Sequence, residues 1–265
     1  DQRVQHSWPV PAGRRMTPGV ALVTGAGARV GKALAEALGQ DGWAVAIHYR
    51  FSKDGARETH DAIKAAGGRA TLVQADLADE AQVADLVGRA GAELGQPVSL
   101  LVNSASVFAD DSAASHTRAD WDGHMDTNLR APVHLAQQMA AGLAPGEKGL
   151  VVNLIDQRVW KLTPQFFTYT LSKAALWQAT QTLAQALAPH VRVNGIGPGP
   201  TLKSVHQSEE AFAAEQRATL TQEGASPDEI VRALRYLISA TSVTGQMIAA
   251  DGGQHLMWQT PDTQI

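Results

Sequence analysis

Tyr169 and Lys173 stand four residues apart in the stretch Phe-Thr-Tyr-Thr-Leu-Ser-Lys. On a helix, that spacing puts both side chains on one face. A phenol ordinarily titrates at about 10, and a neighbouring ammonium lowers that value by favouring the phenolate. A tyrosine so placed can give or take a proton near neutral pH. Asp156 lies thirteen residues before Tyr169, at the end of an apolar run from Gly149 to Ile155 that reads as a buried strand. Taken alone, the Tyr–Lys pair is weak evidence, since most such pairs are ordinary neighbours on a helix surface. The weight therefore rests on the elements that would position it.

Val20 to Thr24 is a short apolar run, followed by Thr24-Gly25-Ala26-Gly27-Ala28-Arg29-Val30-Gly31 and then by a helical pattern from Lys32 to Gly39. A glycine turn between a strand and a helix lets the backbone approach a pyrophosphate, and the helix start supplies N–H groups and a positive dipole end. The alternative is a turn needed only for tight strand–helix packing. A second strand, Ala44 to His48, runs into His48-Tyr49-Arg50-Phe51-Ser52-Lys53. An acid commonly stands at that strand end to hold the ribose hydroxyl of NAD. None stands here. Arg50, Ser52 and Lys53 suit a 2′-phosphate by charge and donors, with Arg29 as a second cation. The reading is NADPH; the alternative is a solvated basic turn.

The alternation continues: helix 54–66, strand 70–74 followed by Asp76-Leu77, helix 80–94 with Asp79 as N-cap, and strand 98–102 leading into Asn103-Ser104-Ala105-Ser106-Val107-Phe108. A long amphipathic helix, 120–143, contains Asn128 and a bend at Pro132. Strand 149–155, helix 166–187, strand 191–196 ending in Gly197-Pro198-Gly199-Pro200, an alanine-rich excursion 201–224, helix 227–239 and strand 245–250 complete the chain. Short strands alternating with helices imply right-handed crossovers and a parallel sheet. No linker or repeat divides it. The expectation is one α/β domain over 16–265, preceded by a flexible N-terminal extension, 1–15, with Met16 as a natural start.

Composition closes off other classes. A net charge of −4 and a pI near 6.1 disfavour a general nucleic-acid binder. The lack of cysteine removes disulfides and thiolate metal sites, and the nine histidines show no ligand spacing. No apolar run approaches the roughly 18 residues of a membrane span, and no secretory signal opens the chain. A cytoplasmic protein acting on a small molecule is expected.

These motifs together resemble the short-chain dehydrogenase/reductase family over about residues 19–255. The resemblance rests on Thr24-Gly25…Gly31, Asp76, Asn103-Ser104-Ala105, Asn128, Tyr169-x-x-x-Lys173, Pro198-Gly199 and Thr244-Gly245…Asp251-Gly252-Gly253. It implies a doubly wound, seven-stranded parallel sheet, the Rossmann fold, and a homotetramer or homodimer built through helices 120–143 and 166–188. It implies Tyr169 as catalytic acid, Lys173 holding the nicotinamide ribose and lowering the tyrosine pKa, and Asn128 supporting the lysine through a water. Gly25, Arg29, Val30, Gly31, His48, Tyr49, Arg50, Ser52, Ser104 and Ala105 would line the cofactor. Asp76 and Leu77 would cover the adenine, Asn103 would pack along the ribose, and Pro198, Gly199 and Thr201 would meet the nicotinamide.

Two departures matter. Where the family has serine thirteen residues before the tyrosine, this chain has Asp156. Its Asn-Ser-Ala-Ser is followed by Phe108. Both resemble the pteridine reductase and dihydromonapterin/dihydrofolate reductase branch, as do Arg29 and His48-Tyr49-x-x-Ser52. In that branch the pterin lies between the nicotinamide and a phenylalanine, here Phe108, and Asp156 and Tyr169 would protonate the ring. An ionised carboxylate cannot donate to a ketone oxygen as serine does, so Asp156 suits a ring with N–H donors and a C=N nitrogen. Alternatively Asp156 is a neutral replacement and Tyr169 the sole acid. Trp160, Leu202, His255 and Trp258 are candidate pocket residues, with plain packing as the alternative. Carbonyl or 3-oxoacyl reduction, and a nucleotide-binding protein without turnover, are the competing functions.

Overall fold

The computed structural model describes residues 16–203 and 207–260; the expected extension over 1–15 lies outside the described residues. The elements are β1 (Val20–Val23), α1 (Arg29–Gln40), β2 (Ala44–Tyr49), α2 (Lys53–Ala65), β3 (Arg69–Gln74), α3 (Glu80–Val83), α4 (Leu86–Leu94), β4 (Val98–Asn103) and α5 (Arg118–Met125). A π-helical turn (Asp126–Arg130) follows, then α6 (Ala131–Gly142), β5 (Gly149–Leu154), α7 (Phe167–Leu187), β6 (Val191–Pro198), α8 (Glu209–Arg217), α9 (Pro227–Ser239) and β7 (Met247–Ala250). All seven strands join one parallel sheet in the order β3-β2-β1-β4-β5-β6-β7. This is the parallel sheet the alternation predicts, in the doubly wound form the resemblance implies.

The strands are apolar throughout because both sheet faces are covered. Successive side chains point to opposite faces. Ala21 and Val23 of β1 therefore join Leu34, Leu38, Ile63, Leu234 and Leu237 beneath α1, α2 and α9. Val20 and Leu22 join Leu86, Leu94, Leu135, Met139 and Ala184 beneath α4, α6 and α7. Each fully buried leucine or isoleucine contributes roughly 1.5–3 kcal/mol. The order reverses between β1 and β4, and ligands of such sheets bind at the carboxyl ends of the strands flanking that point. There the Thr24 hydroxyl accepts from the amides of Ser104 and Ala105, both at 3.0 Å, and ties the two strand ends together.

Two helices depart from their sequence pattern. The stretch expected as one helix over 80–94 breaks between Val83 and Leu86. Asp79 caps α3 as expected, accepting from Ala81 and Gln82. Asp85, poorly suited to a helix interior, stands at the break and pairs with Arg89 one turn on, at 2.9 Å. The helix expected over 120–143 starts earlier, at Arg118, because Thr117 and Asp120 form a reciprocal capping box. Its distortion is a π turn immediately before Pro132. Proline has no N–H to give to the carbonyl four residues back; that carbonyl belongs to Asn128. The irregularity thus falls on a site residue, where single π turns commonly occur.

Candidate active site

Asp156 follows β5 at the carboxyl edge of the sheet, and Tyr169 and Lys173 lie in the first two turns of α7. The Tyr169 hydroxyl donates to Asp156 Oδ2 at 2.8 Å, and the Arg158 amide donates to Asp156 Oδ1 at 2.8 Å. Lys173 Nζ donates to the Leu154 carbonyl at 2.8 Å and sits 5.7 Å from the centre of the Tyr169 ring. Asp156 and Tyr169 are in direct contact, with the Lys173 ammonium beside the Tyr169 ring.

Their electrostatics differ from the expectation that the lysine depresses the tyrosine. Burial, then the Asp156 charge and the hydrogen bond to it, hold the Tyr169 hydroxyl well above its ordinary value, with Arg158 opposing. Asp156 is raised by burial, against the Arg158 amide, the Tyr169 hydroxyl and the charges of Arg158 and Lys173. Lys173 is lowered to about 8 by burial, which the Asp156 charge partly offsets. Burial is the larger cause of the reversal, and position is the second. The carboxylate, not the ammonium, touches the phenol, and it favours the protonated form. At neutral pH the site holds a phenol beside a carboxyl that keeps its proton more readily than an exposed aspartate.

Asn128 is fully buried and uses its whole amide. Its Oδ1 accepts from the Val107 amide (2.8 Å) and Ser106 Oγ (3.3 Å), and its Nδ2 donates to the Val107 carbonyl (2.9 Å) and Ser172 Oγ (3.1 Å). It therefore fastens the loop after β4 to α7 and makes no direct hydrogen bond to Lys173. That loop presents Phe108, 44% exposed, whose ring stacks on Phe166 at 4.3 Å and meets the Tyr169 ring edge-on at 4.8 Å. The Arg158 guanidinium lies over Phe166 at 5.0 Å and donates to Thr163 Oγ1 at 3.0 Å. Phe166 adopts a left-handed backbone (φ 52°), a conformation costing roughly 1–2 kcal/mol for an L-residue. Phe166 and Arg158 complete this aromatic wall, and the sequence reading had singled out neither. The doublet Phe166-Phe167 just before the tyrosine was the available signal.

The glycine turn fits a bound phosphate. Gly25 has φ 64°, and a Cβ there would lie 2.8 Å from the Ala105 backbone; a Cβ on Gly31 would lie 2.2 Å from the Gly25 carbonyl oxygen. The start of α1 has no capping side chain and no acid in its first turn, so its amides and positive end face the cleft uncompensated. Val30 sits in that first turn and packs on the core.

Several expected cofactor contacts have other work. His48 is buried: its Nδ1 accepts from the Gly25 amide (3.1 Å), so its proton resides on Nε2, which faces the Ala75 carbonyl at 3.0 Å. It braces the loop from beneath. Arg29, also left-handed (φ 54°), donates to the carbonyls of Leu202 (3.0 Å) and Lys203 (2.9 Å). Arg50 pairs with Asp76 at 2.6 Å and lies over Phe51 at 4.5 Å. Ser52 and Lys53 are exposed beside it, Tyr49 is half-buried, and Leu77 is sunk in the core, leaving Asp76 as the accessible member of its pair. Asn103 is buried, donating to Asn153 Oδ1 at 2.8 Å. Gly199 donates to the Ala250 carbonyl at 3.2 Å, and Thr201 Oγ1 donates to the Gly199 carbonyl at 3.1 Å. Trp160 contacts the rings of Trp177 (6.0 Å) and His255 (5.2 Å), His255 pairs with buried Asp251 at 2.7 Å, and Trp258 is exposed.

His48 yields a stability prediction. Burial pushes it from 6.5 down to about 4, against the Ala75 hydrogen bond. In the window between those values the unfolded chain binds the proton and the folded chain does not. Its contribution is therefore complete above about pH 6.5 and is lost as the pH falls towards 4, roughly 3 kcal/mol in all. Urea midpoints at pH 7 and 4.5 should show a steeper acid loss in wild type than in His48→Asn. Equal slopes in the two proteins would refute the assignment.

Among the described residues, no group of three or more His, Asp or Glu side chains is placed to hold a metal, and no helix is long and apolar enough to cross a membrane.

A dinucleotide cradle at the sheet's switch point, facing a Tyr–Lys pair on one helix, defines a nucleotide-dependent oxidoreductase. The family model for short chain dehydrogenase matches residues 19–214, and the chain belongs to that family. It is 50% identical to FolM alternative dihydrofolate reductase 1 of Brucella suis, solved in complex with NADP, with a TM-score of 0.88 over 91% of this chain and 97% of that one. An uncharacterised oxidoreductase of Methylorubrum extorquens is 35% identical over 242 residues, 88% of this chain and 96% of its own. The 3-oxoacyl-acyl-carrier-protein reductase FabG of Staphylococcus epidermidis is 28% identical over 242 residues, 89% and 98% of the two chains.

Proposed function

We propose that this oxidoreductase, which uses NADPH, reduces a C=N bond in a flat, pterin-like ring. The observation that carries the reading is the hydrogen bond from Tyr169 to Asp156, beside the half-exposed Phe108 ring. In a carbonyl reductase of this family the resemblance implies two donors at the substrate oxygen, a serine and the tyrosine. Here one of those positions is an acceptor unless it is protonated. The likeness to a FolM reductase supports the same substrate class.

When bound, the cofactor supplies the hydride. The glycine turn and the start of α1 would hold its pyrophosphate, and Arg50, Ser52 and Lys53 its 2′-phosphate. Phe108 offers the ring a flat face, and offset stacking on such a face is worth about 0.5–1.5 kcal/mol beyond the area buried. Asp156 accepts from ring N–H or amino groups, and in its protonated form gives a proton to the ring nitrogen. Tyr169, kept as a phenol, donates into the same dyad. Lys173 supplies positive charge behind it.

The test is NADPH oxidation with dihydrobiopterin, dihydromonapterin and dihydrofolate, against a simple ketone and an acetoacetyl thioester. Pterin turnover should fall about a hundredfold or more in Asp156→Ser. Carbonyl or 3-oxoacyl reduction is the second reading, favoured by the likeness to FabG. It replaces the first if no pterin is turned over and Asp156→Ser improves ketone reduction.

A further inference from the structure

Behind the aromatic wall lies a buried polar chain that neither the hydride chemistry nor the cofactor cradle uses. It joins His124 of α5, Thr168 of α7 and Asp111 of the loop after β4; the first two are fully buried and Asp111 is 8% exposed. The directions of its bonds follow from one fixed donor. The Ala109 amide can only donate, and it points at His124 Nε2 at 3.2 Å. The neutral imidazole therefore carries its proton on Nδ1, which donates to Thr168 Oγ1 at 2.7 Å. That hydroxyl spends its own proton on Asp111 Oδ2. Asp111 Oδ1 accepts the Thr168 amide at 2.9 Å, and the Asp111 carbonyl accepts from the Phe167 amide at 3.3 Å. Asp111 thus caps α7 from a distance of 57 residues, where the residue at the cap position, Phe166, offers no side-chain acceptor.

The anchored atoms sit one residue from the site on both sides. Ala109 follows Phe108, and Thr168 precedes Tyr169. The His124 ring also lies edge-on to Tyr169 at 6.1 Å. We propose that His124 is a positioning residue which, through Thr168 and Asp111, fixes the Phe108 loop to the start of α7 and so sets the gap between the substrate platform and the Tyr169 hydroxyl. This rests on Phe108 and Tyr169 forming the substrate site. Asn128 ties the same loop to α7 at Val107 and Ser172, on the other side of Phe108. The two ties thus flank Phe108, and the His124 network holds its C-terminal side to the start of α7.

The variants are His124→Phe, Thr168→Val and, as the conservative control, Thr168→Ser. Two readouts are needed: hydrogen–deuterium exchange of the 104–113 segment, and steady-state kinetics with dihydrobiopterin alongside NADPH affinity. His124→Phe and Thr168→Val should each speed exchange of 104–113 at least about tenfold and leave the β4 and β5 amides unchanged. Each should raise KM for dihydrobiopterin about tenfold, with NADPH Kd within about twofold. Thr168→Ser should match wild type in both, and the double variant should be no worse than either single one, because the residues act in one chain. Unchanged exchange at 104–113, or exchange that rises equally in β4 and β5, overturns the proposal. So does KM that stays at the wild-type value, or that rises only together with NADPH Kd. Should wild type reduce no dihydropterin, the substrate reading fails, and the exchange data still decide the network.

Discussion

Tyr169→Phe is expected to lower kcat for dihydrobiopterin reduction by about a hundredfold to ten-thousandfold, with NADPH affinity within about twofold of wild type. The substitution removes one hydroxyl and keeps the ring that Phe108 meets edge-on, so the wall stays and the phenol half of the Tyr169–Asp156 dyad goes. In wild type, Tyr169 remains a phenol across the working range because burial and the adjacent Asp156 hold its proton. The pH profile then reports the other two groups. Lys173 loses its proton through about pH 8. Asp156 loses its own above the usual carboxylate range. Both changes remove proton-donating or positive character as the pH rises, so kcat should fall on the alkaline side and level off at lower pH. Stopped-time assays from pH 5.5 to 9.5 read this directly. A Tyr169→Phe enzyme that keeps more than about a tenth of the wild-type rate would show the phenol to be dispensable.

Gly31→Ala is expected to weaken NADPH binding by about tenfold to a hundredfold, the equivalent of the 1–3 kcal/mol that overpacking of a tight site costs. The added methyl would sit 2.2 Å from the Gly25 carbonyl oxygen and 2.9 Å from its carbon. Both are backbone atoms, and Gly25 is held from below by His48 and flanked by Ala105, so the turn has nowhere to retreat. Fluorescence titration with NADPH measures the loss, and a melting curve shows whether the sheet survives. Binding within about threefold of wild type, in a folded protein, would mean that the turn is softer than its packing indicates.

Local periodicity carried most of what the sequence could tell. The four-residue spacing of Tyr169 and Lys173, the apolar strands and the glycine turn are all short-range patterns, and each led to the right element at the right edge of the sheet. What stayed hidden depends on partners far along the chain. The bond from Thr168 to Asp111 spans 57 residues and that from His124 to Thr168 spans 44; no window on the sequence contains both ends. His48 reads as a ligand residue from its neighbours in sequence, yet it is buried beneath the turn it was expected to flank. The direction of the Tyr169 shift follows from burial and contact, which the Tyr–Lys spacing alone does not show. Spacing brings Lys173 near the phenol, but the strand end that delivers Asp156 decides which group touches the oxygen. The break at Asp85 and the π turn before Pro132 are cases where a continuous apolar stripe masks a local backbone constraint.

The grip of Arg29 on the carbonyls of Leu202 and Lys203 has a practical consequence for redesign. Arg29 belongs to the first βα turn and its partners follow the sixth strand, 173 and 174 residues later. A change of coenzyme preference is usually sought by exchanging charged residues around the glycine turn, as though that half of the protein could be tuned alone. In this chain the same guanidinium is a clasp on the segment that follows β6. Any variant built at Arg29 therefore also releases the Leu202 and Lys203 carbonyls, and should be screened for effects beyond the coenzyme.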